Sequence, residues 1–396
     1  MGLFLEIGPC RVTPNGNGTT RFDHSWTEFS NLLILDQPAG VGMSALDDAS
    51  ACRPETLKKA ADDFETFLNV FFTDAFPQYG HLPIHIAGES FAGAYIPTYV
   101  ANIIHRQKVR ASGALNVHLA SIILVDAVIN QPISGVVGEY NHFCNPETKD
   151  NITTGGLNET ACNAMEEKIP ECERLNSLCL DTYDPVICQS SNYWCMEEVG
   201  IWISRDVENG KRNPYDDRKA CKHNPPICED IITSRHAQYL NQPWVKEHLG
   251  KPPNFTFKGL DFDLNMLWAQ NKQSTLPTTR EMSFLLDKTD VRILALNGNN
   301  DILVNTEGQI RVYDSLPWSG MARYRLAKFS DWFYTKRKGA FLTAVKAGQV
   351  KGVKNKLRLV TVQEAGHASP ADQPEAIAFV VQCWVNGAPC HDSLLV

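Results

Sequence analysis

The sequence predicts an α/β fold: a mostly parallel central sheet with helices on both faces and a disulfide-rich inserted cap. Short β-branched apolar runs alternate with amphipathic stretches, this order breaks in the middle of the chain, and cysteines accumulate in the break. A chain of 396 residues with 43% hydrophobic residues can bury a core of the required size. We expect three parts: a first core part (1–130), the cap (131–254) and a second core part (255–396).

Five nearly continuous apolar runs predict strands of a parallel sheet that is buried on both faces. They are NLLILD (31–36), LPIHIAG (82–88), LASIILVDAVI (119–129), VRILALNG (291–298) and LRLVTVQ (357–363). Amphipathic stretches lie between or after them, namely ETLKKAADDFETFLNVFFTDA, AYIPTYVANIIHRQK and PEAIAFVVQCWVNG. Strands that alternate with helices favour a wound sheet.

The cysteines indicate the compartment. Eight of the twelve fall between Cys144 and Cys228, none forms a C-x-x-C pair, and the segment lacks the Cys/His clustering of a zinc site. Disulfides are therefore the better interpretation, and they indicate the secretory pathway, with a vacuolar, lysosomal or extracellular destination. Four sequons for N-glycosylation agree with this compartment, at Asn17, Asn151, Asn158 and Asn254.

Charge and hydropathy exclude two classes of partner. The formal net charge of -8 provides no basic surface for nucleic acid, and the short run TKRKG (335–339) is interpreted as a solvated loop. No apolar run approaches the roughly 18 residues of a membrane span. The opening MGLFLEIGPC lacks the basic start and the cleavage site of a signal peptide, so we expect the chain to begin inside a longer protein. No metal and no cofactor is expected, and the oligomeric state stays open.

Ser90 is the first candidate for chemistry. The segment G-E-S-F-A-G is one residue longer than the nucleophile-elbow pattern G-x-S-x-G, since the second glycine is Gly93. Small residues on both sides allow a sharp turn between strand and helix. The Phe91 amide at the helix N-terminus could then face an oxyanion. The alternative is that Ser90 only caps the helix of an ordinary strand–helix turn.

A nucleophilic serine needs a base, and the base needs an acid that orients it. Two later loops supply candidates in the chain order serine, acid, histidine. Asp301 follows the strand VRILALNG, and His367 follows the strand LRLVTVQ in a glycine-led loop. Taken alone, Asp301 could be a turn residue and His367 a solvated loop histidine, but their joint order and placement favour the catalytic interpretation. His85 in a strand and His105 in a helix are better explained by packing or surface roles.

Five stretches of the sequence carry a family resemblance. In chain order, they are GLFLEIGP (2–9), LILDQPAGVGMS (33–44), HIAGESFAGAYIP (85–97), NPYDDRKAC (213–221) with YLNQPWVKEHLG (239–250), and AGHASPADQPEAI (365–377). Together they resemble the serine carboxypeptidase family of the carboxypeptidase Y type, whose members have the α/β-hydrolase fold. The resemblance implies that Ser90 is the nucleophile, His367 the general base and acid, and Asp301 the residue that orients His367. It also implies that Glu6 and Glu89 recognise the free carboxylate at a peptide C-terminus.

The resemblance extends to the cysteines of the predicted cap. It implies four pairs: Cys144 with Cys162, Cys172 with Cys195, Cys179 with Cys188, and Cys221 with Cys228. It does not settle the pairing of Cys10, Cys52, Cys383 and Cys390.

The chain departs from the family pattern at its start. The family carries a glycine-rich segment, ending in a Gly-Cys-Ser-Ser type motif, directly before the stretch that corresponds to GLFLEIGP. That segment supplies an oxyanion amide, an asparagine for the substrate carboxylate and the first strands. We therefore expect the chain as given to be nearly inactive, because one lost oxyanion donor costs about a hundredfold to a thousandfold in turnover. Ala368 and the segment VDAVIN also differ from the family, which alters the expected shape of the substrate pockets.

These observations predict a serine carboxypeptidase that releases C-terminal amino acids through an acyl-enzyme. One alternative is an acyltransferase of the same superfamily, although such relatives often resemble G-D-S rather than G-E-S. Lipases and other esterases have no need for the paired Glu6 and Glu89. The alternative from another class is a truncated or non-catalytic homologue that acts by binding.

Overall fold

A six-stranded mixed sheet forms the centre of the protein. The computed structural model describes residues 2–44, 53–146, 152–222, 228, 235–338 and 341–387. The strands within these residues are β1 (Cys10–Val12), β2 (Thr19–Arg21), β3 (Ile84–Glu89), β4 (Leu119–Val125), β5 (Arg292–Gly298), β6 (Ser330–Lys338), β7 (Phe341–Val353) and β8 (Leu357–Val362). The sheet order is β3-β4-β5-β8-β7-β6, and the first four of these strands are parallel. Strands β7 and β6 continue the sheet antiparallel, and β1 pairs with β2 in a separate hairpin.

Helices surround the sheet and fill the long connection between β4 and β5. They are α1 (Leu57–Val70), α2 (Ala92–Lys108), α3 (Gly138–Cys144), α4 (Glu159–Thr182), α5 (Pro185–Glu198), α6 (Ile201–Glu208), α7 (Arg235–Leu240), α8 (Pro243–His248), α9 (Phe262–Gln270), α10 (Thr279–Lys288), α11 (Thr306–Ser315), α12 (Met321–Leu326), α13 (Ser369–Asp372) and α14 (Pro374–Asn386). Short 3-10 or π-helical turns lie at Gly2–Glu6, Trp26–Glu28, Phe71–Ala75, Pro77–Tyr79 and Pro132–Val137.

Strand β4 shows why both faces of the sheet are covered. Successive side chains of a strand point to opposite faces. Ile122 and Leu124 pack in the cluster that contains α1, α2 and α10, whereas Ile123 and Val125 pack in the cluster that contains α14. The predicted α/β fold with a mostly parallel sheet and helices on both faces is confirmed.

The predicted strands are correct except for the first. Runs two to five form β3, β4, β5 and β8, but segment 31–36 is irregular. Strand β3 is the first strand in the sheet order, and segment 31–36 does not pair with it. Without a partner for its backbone groups, an apolar run has no ladder to join. Leu33 and Ile34 consequently stay 44% and 36% exposed.

The interpretation of TKRKG (335–339) as a loop is wrong for most of its length. Residues 335–338 end β6, which pairs with β7 over nine residue positions from Ser330 to Lys338. The ion pair between Lys336 and Glu375 of α14, 3.2 Å long, satisfies one of its charges. Strand β7 supplies hydrogen-bond partners for the backbone of this run, although its basic composition gave no sign of a strand.

The regular secondary structure of the region between β4 and β5 is helical in the part that the structure describes, and irregular segments separate the helices. All four predicted disulfides of this region are confirmed: Cys144–Cys162, Cys172–Cys195, Cys179–Cys188 and Cys221–Cys228. The second pair packs with Met165 and Val199 in a small core of its own. Cys383 is also disulfide-bonded, Cys10 is a free thiol, and Cys52, Cys390 and Asn151 lie outside the described residues. The boundaries at residues 130 and 254 stay a prediction.

Candidate active site

Ser90 lies on a sharp turn between β3 and α2. Its φ angle is +60°, which a non-glycine residue adopts only when its surroundings hold it there. The Ser90 amide donates to the Val125 carbonyl at 3.0 Å, and the Ser90 carbonyl accepts from the Val128 amide at 2.9 Å. The turn is thus fixed against the loop that follows β4.

The first turn of α2 packs closely against the loop after β4 and is also held from outside the helix. A Cβ atom on Gly93 would lie 2.4 Å from the Val128 carbonyl oxygen, so glycine is required there. Pro97 has no N–H to donate to the Gly93 carbonyl, and the Thr278 hydroxyl donates to it instead at 2.8 Å. The amide of Phe91, the residue before the helix, has no acceptor within the helix itself.

His367 and Asp301 come from loops after different strands and meet beneath the surface. His367 Nδ1 lies 2.7 Å from Asp301 Oδ2, and the two residues are 6% and 0% exposed. Because a carboxylate only accepts hydrogen bonds, Nδ1 carries the proton and Nε2 is left to act as a base. The second Asp301 oxygen accepts from the Val304 amide at 3.1 Å, and the His367 amide donates to the Tyr215 carbonyl at 2.8 Å.

One cavity of about 2060 Å³ opens onto most of the predicted residues. Its walls include Glu6, Glu89, Ser90, Phe91 and His367. Asp301 lies behind His367 and is bonded to it. All six residues predicted from the sequence are therefore brought into one region, at the carboxyl ends of the parallel strands β3, β5 and β8. Their roles stay a prediction.

Glu6 and Glu89 form a pair of carboxyl groups beside Ser90. Their side chains are hydrogen-bonded to each other, Glu6 is buried, and the Oε2 atom of Glu89 is buried as well. Burial, together with the charge of Glu6, raises the pKa of Glu89 well above its usual 4.5. Burial also raises the pKa of Glu6. A hydrogen bond between two carboxyl groups requires a proton, so the two glutamates share one.

Sequence reasoning gave no role to Asp126, which lies directly after β4. The residue is fully buried, its φ angle is +43°, and its Oδ1 accepts from the Gly298 amide at 2.7 Å. Burial and the charge of Asp301 raise the pKa of Asp126 well above its usual range. The sequence signal that could have identified Asp126 is an acidic residue directly after a buried strand.

Among the described residues, no group of three His, Cys, Asp or Glu could hold a metal ion.

Comparisons with known proteins extend over almost the whole chain. The family model for serine carboxypeptidases matches residues 1–387. Carboxypeptidase Y homolog A of Phaeosphaeria nodorum is 28% identical over 98% of this chain and 65% of its own length. Carboxypeptidase Y of Schizosaccharomyces pombe is 28% identical over 98% of this chain and 37% of its own length. The chain therefore spans less than two thirds of the length of these curated relatives.

A solved structure supports the fold. The prohormone-processing carboxypeptidase KEX1(delta)p of Saccharomyces cerevisiae superposes with a TM-score of 0.76 at 20% identity. The match covers 98% of this chain and 80% of that protein. At this identity the likeness establishes the shared architecture.

Proposed function

The chain belongs to the serine carboxypeptidase family, and on this basis we propose that it removes single amino acids from the C-termini of peptides. Ser90, His367 and Asp301 are the proposed triad, Phe91 supplies an oxyanion amide, and Glu6 with Glu89 binds the substrate carboxylate. The reaction needs no cofactor, because an activated serine and a histidine complete it.

The proposed reaction has two halves. In the first, the Ser90 hydroxyl attacks the last peptide carbonyl while His367 Nε2 accepts its proton. The Phe91 amide stabilises the resulting oxyanion. His367 then gives the proton to the departing amino group, the C–N bond breaks, and the rest of the peptide remains as an ester on Ser90. In the second half, His367 takes a proton from water, the hydroxyl attacks the ester, and Ser90 recovers its proton as the acid leaves.

The observation that carries the proposal is the hydrogen-bonded pair of Glu6 and Glu89 in the same cavity as Ser90. An anionic pair would repel a substrate carboxylate, but a protonated pair presents a hydrogen-bond donor. Glu89 is the residue next to Ser90, so it can hold a carboxylate near the bond that Ser90 attacks. Esterases and lipases have no carboxylate to recognise at that point.

The proposed location is the secretory pathway, with a vacuolar, lysosomal or extracellular destination. Four disulfides between described residues support an oxidising compartment. The sequon asparagines Asn17, Asn158 and Asn254 are exposed, as acceptors of glycans must be. No helix in the described ranges has the length and hydropathy to cross a bilayer.

The test compares two blocked dipeptides that differ only at the C-terminus, one a free acid and the other its amide. The protein is expressed in a secretory host from its complete coding sequence, and released amino acid or amino-acid amide is quantified. We expect the free acid to be cleaved far faster, and Ser90→Ala to abolish the reaction. Equal rates on the two dipeptides, or full activity of Ser90→Ala, would rule out the proposal.

A further inference from the structure

A short segment of the helical region, residues 213–218, lies against the loops that carry Asp301 and His367. We name it the bridging segment. It lies between α6 and α7 in the chain, far from the strands that lead to those two loops. Its members Asn213, Asp216 and Asp217 are 4%, 3% and 2% exposed, although all three are polar. Polar side chains this deeply buried indicate specific hydrogen-bonding roles.

The bridging segment holds the Asp301 loop from both sides. The Pro214 carbonyl accepts from the amides of Ile302 and Leu303 at 3.2 and 3.0 Å. On the other side, the Asp217 amide donates to the Asn300 carbonyl at 2.8 Å. The side chains of the same two residues also pair, since Asn300 Nδ2 donates to Asp217 Oδ1 at 2.8 Å.

The same segment holds the His367 loop. The Tyr215 carbonyl accepts from the His367 amide at 2.8 Å, and a Cβ atom on Gly366 would lie 2.3 Å from that carbonyl oxygen. Arg218 adds a second connection, because it pairs with Asp216 through two contacts of 2.8 Å and reaches Asp372 at 3.1 Å. Asp372 in turn accepts from the Gly366 amide at 2.7 Å.

Asp217 connects this arrangement to the helical region. Its Oδ2 atom lies 2.8 Å from His142 Nε2 of α3, while its Oδ1 atom accepts from Asn300. The described walls of the cavity include Tyr215 and Asp216 but not Asp217. The side-chain connection from Asp217 to the Asp301 loop is therefore its bond with Asn300.

We infer that Asp217 is a positioning residue, which sets the place of Asp301 relative to His367 through Asn300. The inference rests on the proposed function. Loops at the ends of separate strands are more mobile than the sheet, and a third segment bonded to both loops fixes their relative position. Catalysis depends on that position, since a displacement of about 1 Å can cost roughly a hundredfold in rate.

The test uses Asp217→Ala and Asp217→Asn, with kcat, KM and the low-field proton resonance of the His367–Asp301 hydrogen bond as readouts. In Asp217→Ala we expect kcat to fall by about ten- to a hundredfold with little change in KM, and the resonance to shift or broaden. Asp217→Asn keeps an oxygen that accepts from Asn300, so it should retain most of the activity and an unshifted resonance.

Glu65→Ala is the matched control for a general loss of stability. Glu65 is another buried carboxylate. It accepts from the Arg106 side chain and from the Leu115 amide, and neither partner belongs to the Asp301 loop or the His367 loop. The Glu65→Ala variant should be less stable than the unmodified protein. Its kcat per folded molecule and the resonance of the His367–Asp301 hydrogen bond should not change. Asn300→Ala is a second route, because it removes the same side-chain bond and leaves Asp217 beside His142.

Normal kcat and a normal resonance in folded Asp217→Ala or Asn300→Ala would overturn the inference. So would a kcat loss that Glu65→Ala reproduces. Failure of the proposed function looks different: the unmodified protein would then cleave no peptide, while the resonance would still respond to Asp217→Ala if the positioning role is correct.

Discussion

His367 Nδ1 and Asp301 Oδ2 lie 2.7 Å apart in the folded protein, although 66 positions separate the two residues in the chain. Both are buried. The His367 amide donates to the Tyr215 carbonyl of another segment, and Asp301 accepts from the Val304 amide of its own loop. The hydrogen bond orients the imidazole ring and fixes which nitrogen carries the proton. It is the contact on which the proposed chemistry depends.

Asp301→Asn should lower kcat strongly while the fold persists. An asparagine can present its N–H to Nδ1, which favours the tautomer whose Nε2 is protonated and cannot act as a base. Comparable changes in serine-hydrolase triads cost about 10⁴ in kcat, and we expect a loss of about 10³ to 10⁴ here. Steady-state kinetics on a blocked dipeptide measure it, with thermal unfolding as the check on folding. The control is Asp62→Asn in α1, since Asp62 pairs with Lys58 and is not one of the residues that line the cavity. A kcat of Asp301→Asn close to that of the unmodified protein would contradict the assignment.

Glu89→Gln should remove most of the pH dependence of KM for peptides with a free C-terminus. Because the pKa of Glu89 is raised well above 4.5, the group still holds its proton at pH values where an ordinary glutamate is charged. As the pH rises through that raised pKa, the hydrogen-bond donor is lost and two negative charges face the substrate carboxylate. KM of the unmodified protein should therefore increase with pH, whereas glutamine cannot ionise and should give a flatter profile.

The control for this prediction is a blocked ester substrate without a free carboxylate. Its KM should depend little on pH in either protein, since no carboxylate has to be bound. If Glu89→Gln leaves the KM profile of the free peptide unchanged, Glu89 serves only to brace the turn at Ser90.

The disulfide Cys172–Cys195 should contribute more stability than Cys221–Cys228. The first closes a separation of 23 residues and the second one of 7, so the chain-entropy model gives a difference of about 1 kcal/mol in the free energy of unfolding. Cys172 and Cys195 also belong to the small core of the helical region. Denaturant unfolding of Cys172→Ala/Cys195→Ala and of Cys221→Ala/Cys228→Ala tests this, and equal losses would contradict it.

The sequence predicted most of the sheet, because the buried strands have an unmistakable apolar composition. Segment 31–36 has the same composition but no strand beside it, and composition alone does not report on a partner. Strands β6 and β7 were missed for the opposite reason: their polar and basic residues conceal a long antiparallel pairing.

The site was predictable where a local motif or a family resemblance existed. Ser90 follows a strand in a glycine-rich turn, and Asp301 and His367 follow strands in the expected order. Asp126 and Asp217 were not assigned a role, because their significance depends on contacts with residues far away in the chain. Asp126 meets Gly298, and Asp217 meets both Asn300 and His142. Such contacts leave no periodic signal in the sequence.

The most direct measurement of the central claim is the site of covalent labelling by a fluorophosphonate, read by peptide mass spectrometry. A serine becomes labelled when its hydroxyl is activated by a neighbouring base. We predict one label per molecule, on Ser90, and almost none on the folded His367→Ala variant. A label on another residue with Ser90 unmodified, or undiminished labelling of Ser90 in His367→Ala, would contradict the account.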